Sequence, residues 1–477
     1  MIIMKKYLSI FALIGLLFSG CEKEKDPPVV TAPQSSSVEI TESVDLSFGF
    51  NAPAGFKSAS VTATGGDAEI LTDGSAGAAS GTIVVSFTAG KVTGAGSVIL
   101  TMTDNDSQTG SATAVLTIEG VPVISVTQNI TASTTWEKEK IYILEGRITV
   151  VPGVTLTIQP GVIVKGREGS EANATALMIA RGAKIMAEGT ADSPVIFTSV
   201  SDNIIPGEIA SPNLAPTMNG LWGGLLILGR APISAEAEAM QIEGIPASDL
   251  NGLYGGTDPA DNSGILRYVS IRHGGANIGE GNEINGLTLG GVGSGTVIER
   301  IEIVSNQDDG IEWFGGTVNV KDVVVWNTGD DAIDTDQSWG GTLDNFIVIN
   351  PGDECLELDG PEGTMVAKHI LKNGSCYAGN AQGLVDLDPN SSVDMNGVYF
   401  FGLKAGQDFD ELPTVYSCTF SNLQATLPAG SSLTDFFKGG SDAFATAVAA
   451  GANTSGANPD VFLGWSWTAV SGSLNNF

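Results

Sequence analysis

The chain has 477 residues, 42% hydrophobic and only 16% charged, with 62 glycines, which allows a large core in two or three domains and favours many short strands with tight turns over helices. Its 54 acidic residues against 22 basic ones leave a formal charge of −32. That balance excludes a basic face for nucleic acid or an anionic membrane and makes cations the natural partners.

In chain order the first element is a leader, residues 1–20: Lys5 and Lys6 precede an apolar run that ends in Ser19 and Gly20, just before Cys21. This is the pattern of a secretory signal peptide, and the run is too short to span a bilayer comfortably. "LFSGC" resembles a bacterial lipobox. The resemblance implies cleavage before Cys21, lipid attachment there and a lipid anchor in the outer membrane. An ordinary secretory signal with an incidental cysteine is the alternative. Residues 21–33, opening "CEKEKDPP", read as a tether. Acid-rich tethers at this place resemble the surface-export signals of Bacteroidota lipoproteins, which implies exposure at the cell surface, although the lysines between the acids depart from that pattern.

Residues 34–120 alternate apolar and polar positions in runs such as "SVDLSFGF", "TIVVSFTAG" and "ATAVLTIEG", which predicts an immunoglobulin-like antiparallel β-sandwich. "DNDSQTG" from Asp104 suits a hairpin turn, with a calcium loop as the less favoured reading.

From Val121 the texture changes to β-branched pairs broken by Pro-Gly and Gly-Ala turns. "NQDDGIEWFGG", "NTGDDAIDTDQSWGG" and "NPGDECLELDGPEG" then repeat one phrase, with Asp308, Asp330 and Asp353 22 and 23 residues apart. A repeat of this length marks a coil whose turns stack at strand spacing, about 4.8 Å. The pattern resembles right-handed parallel β-helices, and the expected fold is all-β, with the β-helix over 121–432 and a short C-terminal cap over 433–477. Within the cap, "DAFATAVAAG" from Asp442 suggests a short helix, and Trp465 and Trp467 are expected to cover the end of the coil. A long insertion between Ser234 and Ser263 interrupts the repeat.

Strand alternation gives the repeated phrase its directions. Ile311, Ile333 and Leu356 point inward, and Glu312, Asp334 and Glu357 stack outward. Gly310, Ala332 and Cys355, two positions earlier, are expected to share that outer face, and Phe314, Asp336 and Asp359 extend the strip. Residues 306–362 hold fourteen acids, and Lys321 is their only base. Stacked carboxylates repel, so a cation, raised pKa values or ordered solvent must compensate. Calcium takes several hard oxygen ligands in flexible geometry, which Glu312, Asp334, Asp336 and Glu357 could supply. The alternative is that Asp309, Asp331 and Glu354 close turns while the other carboxylates are merely solvated.

The ladder resembles the pectate-lyase superfamily, whose β-helices hold calcium with aspartates on this kind of face, and "GDDAID" and "GDECLEL" resemble the "GDD" strand of polygalacturonases. The Gly-His-Gly and Arg-Ile-Lys that the polygalacturonase pattern requires are missing. A lyase reading needs a base, for which Arg272 is the candidate, placed by alignment of the Gly-Gly pairs in the column of Thr288 and Glu312; the alternative is a surface arginine neutralising Glu280 and Glu283. For hydrolysis the available carboxylate pairs are Asp331 with Glu354 or Asp334 with Glu357. Trp313, Phe314 and Trp339 suit sugar stacking, or else core and turn packing.

Phrases such as "IRHGGANIGEGNEINGLTLGG" resemble Bacteroidota surface lipoproteins with this β-helix, and that resemblance implies partnership with a TonB-dependent receptor. The favoured function is a surface lipoprotein that binds a polysaccharide or calcium, ahead of a polysaccharide lyase or glycoside hydrolase, with a structural adhesin third. Cys355 and Cys376, close to one repeat apart, could approach on neighbouring turns.

Overall fold

The structure is a computed structural model that describes residues 25–170, 173–276 and 284–477. The leader, Cys21, Glu280 and Glu283 lie outside the described residues. The chain forms two compact units that divide between Gly120 and Val121.

The first unit is a β-sandwich of two four-stranded sheets. One contains Ser43–Asn51 and Ser80–Ala89, and the other Gly94–Asp104 and Thr109–Glu119, each pair antiparallel. Alternate residues of both sheets face inward, Phe48, Val85 and Phe87 meeting Val98, Leu100 and Leu116 in the core. This is the period-2 burial that the sequence predicts. Asp104 closes a hairpin turn, its Oδ1 accepting from the Gln108 amide at 2.8 Å.

The second unit is a parallel β-helix. Its first turns carry three short strands each, for example Thr155–Ile158, Ile163–Gly166 and Leu177–Ile179. From Gly264–Arg272 onward two of these strands fuse into one long bent strand per turn, followed by Val297–Val304, Val320–Trp326, Thr342–Ile349, His369–Tyr377 and Val393–Phe401, all in parallel register. The bend has a local cause. Tyr268, Arg300, Asp322, Asn345, Asn373 and Gly397 stack at the same place in successive strands, each with φ between 51° and 72°. Asp, Asn and Gly tolerate this left-handed conformation best, and four of the six positions carry them. A second sheet stacks the remaining strand of each turn, from Ile148–Val150 to Asp386–Leu387. One continuous apolar core fills the coil, from Ile130 and Trp136 to Phe437.

Two segments lie outside the coil. The insertion after Ser234 straps over the second sheet, where Ile242, Ile245 and Tyr254 pack on Met178, Leu226, Leu228 and Phe314. The C-terminal tail runs back along the long strands, where Phe462, Trp465, Trp467 and Leu474 pack on Val304, Val324, Trp326 and Ile347. The two tryptophans therefore cover a flank of the coil, not its end as the sequence suggests. Phe436 and Phe437 plug the end instead, against Phe409 and Phe400. The helix expected from Asp442 is also corrected. Only Ser441–Phe444 makes a single 3₁₀ turn, and Ala445–Ala447 pairs with Leu423–Ala425 as a further strand of the ladder. The open strand edge offers these residues backbone partners, a tertiary context that overrides alanine's intrinsic preference for helix.

Candidate metal centre and acidic ladder

The second sheet aligns Thr288, Glu312, Asp334, Glu357 and Asp386 in one column, and Leu287, Ile311, Ile333 and Leu356 in the adjacent inward column. The ladder expected from the repeat is therefore present, with Asp386 extending it by one turn. The expected outward direction of Gly310, Ala332 and Cys355 is overturned. Ala332 and Cys355 lie in the interior core, and a Cβ on Gly310 would collide with the interior side chain of Val325. The strands begin at Ile311, Ile333 and Leu356, so the residue before each belongs to the turn, where alternation does not operate. Small side chains are needed there because an inner corner is crowded.

The carboxylates one position earlier take the place beside the ladder. Asp309 Oδ1 accepts from the Asp331 amide at 3.0 Å, and Asp331 Oδ1 accepts from the Glu354 amide at 2.6 Å. These residues do brace turns, and they also form a second acidic column parallel to the first. Ligand atoms of Asp309, Glu312 and Asp334 all lie within 4.8 Å of one another, and all three residues are buried. Asp336 and Glu357, assigned to the metal set from the sequence, lie outside this tight group. Asp336 pairs with Phe314 two positions along the strand, and Glu357 stands one turn beyond Asp334. Asp309 takes their place because the turn returns its side chain to the outer face.

Burial, followed by repulsion from neighbouring acids, raises Asp309, Glu312 and Asp334 well above the ordinary carboxylate range. The same order of causes moves Asp336 to about 8 and Asp359 to about 7. For Asp331, at about 12, and Glu354, at about 8, burial is joined by a hydrogen bond to another carboxyl, Glu357 and Asp353 respectively. Glu312 and Asp334 also hydrogen-bond each other. Two carboxyls can do so only if one holds a proton. Without a cation, the hydrogen-bonded carboxyl pairs of this cluster therefore share protons, which relieves part of their mutual repulsion.

Asn285 completes the cluster. Its position corresponds to Asp309 one turn earlier, since it precedes Thr288 as Asp309 precedes Glu312. Its Nδ2 donates to Glu312 Oε2, while its Oδ1 is buried with no hydrogen-bond partner. Three acidic side chains and an orphaned amide oxygen are a hard-oxygen donor set of the kind calcium prefers. Neither Asn285 nor Asp309 was in the expected metal set, although aligning the turns one residue at a time brings both into register.

Other expected site residues have different surroundings. Trp313 and Trp339 are fully buried inside the coil, stacked 4.6 Å apart, with His369 stacked 5.5 Å beyond and lowered by burial to about 3. They are core residues and cannot stack on a sugar, because Trp313 occupies the inward register beside Ile311 and Trp339 turns back into the coil, its Nε1 donating to Val318 O at 3.0 Å. Phe314 does face outward, but the strap covers it and Tyr254 packs 5.8 Å away. Arg272 is neither in the ladder column nor at the surface. It belongs to the long sheet, pairs with Val304 and is fully buried beneath Trp467, whose ring centroid is 5.1 Å from its Cζ. Its acidic partner is Glu302, at 3.5 Å. A base enclosed there cannot reach a polymer on the ladder.

No curated protein matches the chain. Among solved structures, it resembles an exopolygalacturonase of family 28 from Yersinia enterocolitica (11% identity, 88% of this chain and 90% of that one, TM-score 0.19). The catalytic unit of a thermostable α-1,3-glucanase from Streptomyces thermodiastaticus also aligns (12% identity, 76% and 74%, TM-score 0.26). So does a mutant of the SrpA adhesin from Streptococcus sanguinis (14% identity, 23% and 70%, TM-score 0.18). Superpositions this loose are no guide to activity. The sequence pattern of the pectate-lyase-like β-helix domain matches residues 128–411, more than half of the chain. Together with the stacked parallel sheets, that match makes this protein a member of the pectate-lyase-like β-helix family.

Proposed function

We propose that the protein is a surface lipoprotein that binds a divalent cation, calcium by its ligand chemistry, at Asp309, Glu312, Asp334 and Asn285, and a glycan beside it. The observation that carries this reading is the enclosure of three mutually repelling carboxylates with an unpartnered amide oxygen at their side. Calcium takes six to eight oxygen ligands, so four protein donors leave coordination positions for ring hydroxyls and carboxylates, which is why a polysaccharide is the proposed ligand class. A TonB-dependent receptor is the proposed partner, on the likeness of the leader and the β-helix phrases to surface lipoproteins.

Calorimetric titration of the lipid-free Cys21→Ala chain tests the cation. Calcium should give heat at or below millimolar concentration and raise the melting temperature, by an amount equivalent to about 2.7 kcal/mol at a hundredfold excess over Kd. Sodium at equal ionic strength should not, and Asp334→Asn should remove most of the effect. The opposite result, no calcium heat and an Asp334→Asn protein more stable than the parent, would identify a merely protonated ladder and end the metal reading.

Location is a separate expectation. Cys21 should carry lipid, and protease added to intact cells should degrade the protein. Complete protection of the membrane-bound form would place it on the periplasmic side instead.

The shared protons of the ladder favour glycoside hydrolysis as the second reading, since catalysis of that kind uses one protonated and one ionised carboxyl. New reducing ends released from a polysaccharide, and lost in Asp331→Asn, would establish it.

A further inference from the structure

Cys355 and Cys376 take no part in the ladder, yet both are fully enclosed in the interior and both are thiols. They are in direct contact, the Cys355 thiol hydrogen-bonding Cys376. The two come from successive turns. Cys376 pairs with Val348 in the long sheet, and Cys355 immediately precedes the strand Leu356–Leu358 of Val348's own turn. Cys376 therefore enters the interior from the strand stacked on Val348, and Cys355 enters it from the corner that follows Val348, so the two thiols meet across neighbouring turns within the reach of a disulfide. Cys418 is engaged elsewhere, its Sγ 3.4 Å from the Val393 amide and 3.5 Å from Ser391 O.

We propose that Cys355 and Cys376 form a disulfide in the exported protein, joining adjacent turns directly beneath the acidic ladder. This inference rests on the export reading, because compartments outside the cytoplasm permit disulfides to persist. The oxidant is a disulfide-bearing enzyme of the thiol–disulfide oxidase class. One cysteine thiolate attacks the oxidant's disulfide and displaces one of its sulfurs as a thiolate. The second cysteine, deprotonated in turn, attacks the protein sulfur of that mixed disulfide. The Cys355–Cys376 bond forms, and the oxidant leaves as a dithiol carrying the two electrons and two protons of the pair. Neither sulfur is accessible in the finished coil, so exchange occurs while the turns are still closing. Cys355 lies between Glu354 and Glu357, and the bond would hold that turn of the ladder against the next.

The test refolds the reduced Cys21→Ala chain in a glutathione redox buffer, alkylates it, digests it without reduction and maps the peptides by mass. A linked peptide joining Cys355 to Cys376, lighter by two hydrogens than the thiol pair, with Cys418 alkylated, is the expected result. The melting temperature should exceed that of the Cys355→Ala, Cys376→Ala double variant by several degrees. Alkylation of all three cysteines, or a link through Cys418, would overturn the proposal on its geometry. The same mapping is applied to protein made with its leader and recovered from cells. A pair that links in the buffer but is recovered reduced from cells would overturn it through its premise of export, and leave the geometry standing.

Discussion

Glu302→Ala should destabilise the β-helix by about 3–5 kcal/mol, the range for removing one partner of a buried ion pair. Glu302 is fully buried. One oxygen accepts from the Thr468 amide at 2.7 Å and the Thr468 hydroxyl at 2.8 Å, and the other accepts from Ser270 Oγ at 2.5 Å and Arg272 at 3.5 Å. Burial alone lowers the Arg272 pKa, and Glu302 opposes that shift. Without Glu302 the guanidinium stays under Trp467 without its paired carboxylate, opposed only by the charge of Asp202, and the tail loses the group that ties residue 468 to the long strands. Thr468→Val should cost only about 1–2 kcal/mol, since it removes one hydroxyl hydrogen bond and leaves the ion pair. All seven tryptophans fall between Trp136 and Trp467, so their fluorescence during urea unfolding reports on the β-helix and not on the sandwich. A loss below 1 kcal/mol for Glu302→Ala would mean that the tail is held by apolar packing alone.

Raising the pH should destabilise the cation-free protein. Asp309, Glu312, Asp331, Asp334, Asp336, Glu354 and Asp359 have folded pKa values above their unfolded ones, near 4 for ordinary carboxyls. The native state therefore holds protons that the unfolded chain has released, and stability falls as pH rises between the two values. The window opens near pH 4 and extends to about 7 for Asp359, about 8 for Asp336 and Glu354, and about 12 for Asp331. The loss is largest for the most enclosed carboxyls, and solvent screening reduces it for the part-exposed Glu354 and Asp359. Calcium binds the deprotonated form, so the stabilisation it adds should grow across the same interval. Melting curves at pH 7 and pH 9, above the range in which the buried, neutral His369 adds stability as pH rises, with a chelator and then with calcium, measure both slopes. A cation-free melting temperature that is level or rising from pH 7 to pH 9 would contradict the raised pKa values.

The repeat made the coil legible because its spacing is a property of neighbouring residues. Each 22- or 23-residue phrase carries its own turn signals and alternating strand, and stacking can only superpose what every turn already contains. The column Glu312, Asp334, Glu357 follows from that, as does the inward register of Ile311, Ile333 and Leu356. Alternation also ran the two faces of the sandwich correctly, since both sheets bury every second residue.

Periodicity stops informing where the backbone changes direction, and there the tertiary structure decides. The turn before each ladder strand sends Ala332 and Cys355 inside and returns Asp309 to the outer face, so the tight acidic group includes a residue that strand alternation could not assign. Long-range covering was equally beyond the local pattern. Arg272 looks like an exposed outer residue until a tail almost two hundred residues later lays Trp467 over it, and Phe314 looks open until the strap packs Tyr254 against it. Local sequence determines the period and direction of a strand because both are set within a few residues. Burial of an outer face depends on segments distant in the chain, whose packing gains appear only once the coil has formed a surface to receive them.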